Sequence, residues 1–156
     1  MMDVKLHRVY NTVKAVLIIM PFVTLLYLYI GTPTAGLDFT SLLQGNPLLA
    51  LTFLIAMIQP FIVLMLGAAE KDEIAGLGEG ALVIITLLLI AECMMRHLLG
   101  IVGLIVLFYL TFRKVTLSGA GFKALLRNKQ IWGQALGGLV ILLLAALCLF
   151  IALRIG

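Results

Sequence analysis

Charge, cysteine and histidine are all scarce in this chain of 156 residues, which holds 12% charged residues, two cysteines and two histidines. So little charge beside 63% apolar residues excludes a disordered chain and a nucleic-acid-binding tail. Cys93 and Cys148 stand in separate apolar runs with no second thiol nearby. That excludes a disulfide-stapled domain or a zinc framework. Two histidines, His7 and His97, are too few and too far apart for a metal or haem site, and no cofactor is expected. Nucleophilic catalysis is equally unsupported, since Ser41 and Ser118 have no histidine nearby in sequence and no paired carboxylates occur. Gly76-Leu77-Gly78-Glu79-Gly80 lacks the preceding strand and the closing Lys-Ser/Thr of a phosphate loop. It reads as a turn.

What is abundant is apolar sequence, with a mean hydropathy of +1.23. The expected class is all-α, a polytopic transmembrane helical bundle forming a single integral membrane domain. A span needs roughly 20 residues at 1.5 Å each to cross a hydrocarbon core about 30 Å thick. The first span is expected over 13–30, with Pro21 as a kink and tyrosines at its far end. The basic start resembles a signal peptide, but no small-x-small cleavage site follows, so an uncleaved helix is expected. Asn46 has the character of an N-cap and Pro47 that of a first helical residue, opening a span over 47–69 with Pro60 as a second kink. Glu70 to Glu73 then read as a solvated turn.

Residues 81–112 admit two readings. As one helix, their length would be roughly 48 Å and demand an extreme tilt. As two short spans, 81–96 and 99–112, they turn near Arg96 to Gly100. Positive-inside bookkeeping separates the two. Five spans put Lys5, Arg8, Lys14, Lys71 and the five basic residues from Arg113 to Lys129 on one side, against Arg96 and Arg154 on the other. Four spans give no bias. Five spans are therefore expected, with the N-terminus and the 113–130 loop cytoplasmic, in a multi-pass protein of the cell membrane. The segment 118–130 has the pattern of an interfacial amphipathic helix, with Lys123, Arg127, Lys129 and Trp132 at lipid headgroups. The last span, 131–153, carries Gly133, Gly137, Gly138 and Ala145 as a small-residue stripe for helix packing.

Polar residues inside the apolar segments are the candidate site: Glu92, Arg96, His97 and Gln59. On a continuous helix Glu92 and Arg96, four apart, would pair. They would then form a proton or ion relay, with Gln59 or His97 as neighbour. A structural ion pair, or side chains snorkelling from a turn, is the plainer account. By elimination, the sequence points to a non-catalytic subunit, assembly factor or regulator of a larger membrane complex. Its partners would be the lipid bilayer and other membrane subunits or further copies of itself. A small oligomeric transporter or channel using Glu92, Arg96 and Gln59 is the alternative. A membrane-embedded lipid-acting enzyme comes third.

Overall fold

The computed structural model describes residues 4–31, 44–115 and 129–155, and the regular structure of these residues is entirely α-helical. Five helices follow in order: α1 Val4–Gly31, α2 Pro47–Ile74, α3 Gly78–Met95, α4 Leu98–Phe112 and α5 Lys129–Ile155. Four of them, all but α4, are long and apolar enough to cross a membrane. Large apolar side chains such as Phe22, Phe61, Leu143 and Phe150 stay exposed on the outside of the bundle. Lipid, not water, is the solvent such a surface fits. This is a multi-pass membrane protein.

The helices alternate in direction. His7 near the start of α1 meets Glu70 near the end of α2, and Gln134 near the start of α5 meets Asp72. Gly78 opening α3 touches Val115 just beyond α4. One end of the bundle therefore gathers both ends of the α2–α3 turn, the close of α4 and the starts of α1 and α5. The central helix is α3, with half of its span buried against about a fifth for α1 and α5. It packs on α2, α4 and α5, while α1 lies against α2 and α4. Tyr10, Ile62, Leu66, Ile85, Leu88 and Leu104 form the middle of the core.

Local chemistry explains the helix ends. The Asn46 side chain accepts from the amides of Leu48 and Leu49, with Pro47 opening α2, as its sequence predicts. Both turns flanking α3 close by the same paired hydrogen bonds. After α2, Leu77 N–H returns to Asp72 O and Gly76 N–H to Glu73 O, with Gly76 at φ +81°. After α3, His97 N–H returns to Glu92 O and Arg96 N–H to Cys93 O, with Arg96 at φ +56°. These are Schellman closures, which place a left-handed residue just past the helix. Glycine fills that place in the first turn and arginine in the second.

The single long helix over 81–112 is thus excluded, because the helix breaks at Arg96 and His97. Two boundaries move outward. Helix α1 begins nine residues before the expected 13, and α2 runs on through Glu70–Glu73 to Ile74. Those carboxylates are not solvated: Glu70 and Asp72 are buried. The expected interfacial segment 118–130, with Lys123 and Arg127, falls almost wholly outside the described residues.

A left-handed arginine carries strain of about 1–2 kcal/mol that glycine does not. Arg96→Gly should therefore raise stability by about 0.5–1 kcal/mol. Thermal melting of the detergent-solubilised protein checks this, and a lowered midpoint would show that the arginine side chain outweighs its backbone cost.

Candidate functional site

The break between α3 and α4 builds the site. Because α3 ends at Met95, the chain turns through Arg96 and brings His97 back over the last turn of α3. There His97 Nδ1 lies 3.0 Å from Glu92 Oε2. From α2, Gln59 Nε2 approaches the same Nδ1 at 3.4 Å. Glu92 is 0% exposed and Gln59 1%, whereas the His97 side chain keeps 21% of its surface. One ring nitrogen holds either a hydrogen or a lone pair, so it cannot be well bonded to both partners at once. With the hydrogen present it donates to the Glu92 carboxylate. Without it, it accepts from the Gln59 amide.

A fully buried carboxylate needs compensation. Part of it comes from α4. The first return bond of that helix is Ile101 N–H to His97 O, so the amides of Leu98, Leu99 and Gly100 find no acceptor within the helix. They form its positive end. Glu92 lies directly on that end, so tightly against Gly100 that a Cβ there would overlap its carboxyl carbon and both oxygens. Compensation is incomplete: Glu92 Oε1 and Gln59 Oε1 are buried with no hydrogen-bond partner. Pro60 adds a third acceptor nearby, since it has no amide hydrogen to return to the carbonyl of buried Ala56.

Depth follows from helix length. From Gln134 to Arg154 is 20 residues of α5, roughly 30 Å, the thickness of a hydrocarbon core. Gln134 is level with Asp72 on α2, and Gln59 lies roughly 20 Å along α2 from there. The Glu92–His97–Gln59 cluster is therefore inside the apolar slab. Helix α3, 18 residues and roughly 27 Å long, ends short of the far ends of α1, α2 and α5, which run 27 or 28 residues.

A second polar cluster lies at the end where α2 terminates. Glu70 accepts from Lys14 and, at 2.8 Å, pairs with His7. Glu73 accepts from the Tyr10 hydroxyl at 3.1 Å and the Thr111 hydroxyl at 3.3 Å. Asp72 accepts from Gln134 Nε2 at 3.2 Å, and its Oδ2 has no partner. Three carboxylates at a helix C-terminus face the wrong end of its dipole. Their partners on α1, α4 and α5 are what hold them there. The acids clamp three helices to α2.

The structure joins three of the four candidate polar residues. Glu92, His97 and Gln59 converge. Arg96 stands next to them in the turn, exposed, and the Glu92–Arg96 pair that a continuous helix would make gives way to Glu92–His97. The left-handed backbone at Arg96 takes its side chain off the helical face that Glu92 occupies. Pro21 and Pro60 both lie inside continuous helices. In the small-residue stripe, a Cβ on Gly137 would lie 2.7 Å from Met65 Sδ, and one on Gly138 3.1 Å from Leu87 Cδ1. Ala145 is buried, but Gly133 has no neighbour within 4 Å, so the stripe packs within the chain except at its first member. Trp132 is exposed near the start of α5, and Lys129 opens that helix. Gly100, the α4 N-terminus and the three-acid clamp are additions that the sequence did not announce. Among the described residues no group of three or more His, Cys, Asp or Glu side chains could hold a metal ion.

No family model matches the chain, and neither a curated protein nor a solved structure matches it.

Proposed function

We propose that this is a small membrane transport protein whose working group is Glu92, a carboxylate that binds and releases a proton inside the bilayer. The observation that carries this reading is a wholly buried glutamate at membrane depth, half satisfied, on a histidine that a glutamine also claims. Ionisable side chains at such depth are costly and mark ion or proton paths. The small-residue stripe, which from sequence suits helix packing within the chain or with a partner, is spent largely on Met65 and Leu87 of this same chain. With α2's closing end taken as cytoplasmic by the excess of basic residues near it, the cluster lies nearer the opposite face.

The test is proton flux in proteoliposomes. Glu92→Gln keeps the shape and removes the titrating group. Flux should fall at least about a hundredfold, the lower end of what a positioned acid–base group contributes. Unchanged flux would end the assignment of Glu92.

A second reading, a subunit, assembly factor or regulator of a larger membrane complex, is favoured by the short α3–α4 hairpin. Beyond its turn α1 and α5 make no contact with each other, so the bundle is open there among the described residues. Purification in mild detergent tests it: a chain that runs alone contradicts this reading.

A further inference from the structure

We infer that His97 is the relay by which protons enter and leave Glu92, with Gln59 as the group that holds its ring between transfers. This rests on the transport reading above and assigns it a route. Glu92 has no surface of its own, whereas the His97 side chain is 21% exposed and touches its carboxylate. An imidazole bonded through Nδ1 presents Nε2 on the opposite side of the ring, away from Glu92. Exposed Arg96 adjoins it, and a guanidinium at this depth draws water or headgroups towards itself. A proton from that water can therefore reach the ring without crossing apolar packing.

No other ionisable group competes for the part. Residues 15–26 of α1, 48–66 of α2 and 98–108 of α4 contain none, and 135–152 of α5 contain only Cys148. The end of α3 supplies Glu92 and exposed Cys93, and the turn supplies Arg96.

The step balances. Water-borne hydronium gives a proton to Nε2 as the Nδ1–H bond breaks and an O–H bond forms at Glu92 Oε2. The ring stays neutral and changes tautomer. The new Oε2–H at first donates back to Nδ1, and Gln59 Nε2, at 3.4 Å, is placed to take over that lone pair when the hydroxyl turns away. Release to the same side runs the sequence backwards, so His97 and Gln59 set the rate of exchange, and Glu92 sets whether exchange occurs at all.

Chemical rescue in proteoliposomes tests this. His97→Ala should slow proton flux at least about a hundredfold, and added imidazole should restore it, because a small base can occupy the vacated ring site. Glu92→Gln should stay inactive with or without imidazole. Wild-type flux in His97→Ala overturns the relay, and so does slow flux that imidazole leaves unchanged in a normally folded variant. If His97→Ala does not fold, ¹⁵N NMR of the unaltered protein decides. The relay requires the His97 tautomer to change as Glu92 titrates, and an invariant tautomer overturns it. Failure of the relay alone leaves wild-type flux present and Glu92→Gln inactive, whereas failure of the transport reading shows as wild-type flux no higher than that of empty vesicles.

Discussion

Gly100→Ala should destabilise the protein by about 2–3 kcal/mol, the cost of losing a charged hydrogen bond in a buried place. Alanine is the better helix former by about 0.8–1 kcal/mol, so propensity alone predicts the opposite sign. What decides is the atom the new methyl would meet. The carboxyl carbon and both oxygens of Glu92 occupy that position, and Glu92 has no exposed surface into which to retreat. Any shift must take Oε2 away from His97 Nδ1, now 3.0 Å distant, and the carboxylate away from the start of α4. The same argument predicts a reversal of sign. With Glu92→Ala already in place the methyl has room, and Gly100→Ala should then stabilise by up to about 1 kcal/mol. Unfolding of the four proteins in detergent closes the cycle, with a coupling of about 2–4 kcal/mol expected where most contacting pairs give less. Additive effects would show that Glu92 moves aside freely, and would remove the geometric basis for its relay with His97.

The parts of this fold that could be read beforehand are those where one residue carries its own local physics. Asn46 and Pro47 announce the start of α2, and Gly76 supplies the left-handed residue that ends it. Gln59, Glu92 and His97 stand out because a polar group inside an apolar run is costly enough to need a reason. What stayed hidden depends on contacts between distant segments. The break between α3 and α4 was legible from the balance of basic residues, which asks for a turn near Arg96 to Gly100. The residue that makes the turn was not, because Arg96 holds a left-handed backbone against its preference. Gly100 lies in an apolar run where nothing marks it, and its importance comes only from what lies over it. The acids at the end of α2 look like a solvated turn until partners as far as 63 residues away in sequence are placed on them. Their unfavourable position at a helix C-terminus was the one available sign.

That clamp yields the other large effect. Glu70→Ala should cost about 2–3 kcal/mol, below the 3–5 found when a fully buried pair is broken, because Lys14 remains partly exposed. Glu70 itself is 7% exposed and takes both Lys14 and His7, while the Lys14 side chain is 21% exposed. Removing the acid leaves a half-buried ammonium with no opposite charge. Removing both charges together is a different matter, since well-packed apolar replacements for a buried pair are often neutral or stabilising. Lys14→Met combined with Glu70→Leu should therefore recover most of the loss, to within about 1 kcal/mol of the original stability. Melting midpoints in detergent would resolve the difference. A double variant as unstable as Glu70→Ala alone would mean that hydrogen bonding to His7 holds α1 against α2, with Lys14 a bystander. Recovery would mean that desolvated charge is the stake. In that case the clamp fixes which ends of α1 and α2 meet, and so holds the bundle around Glu92 in one arrangement.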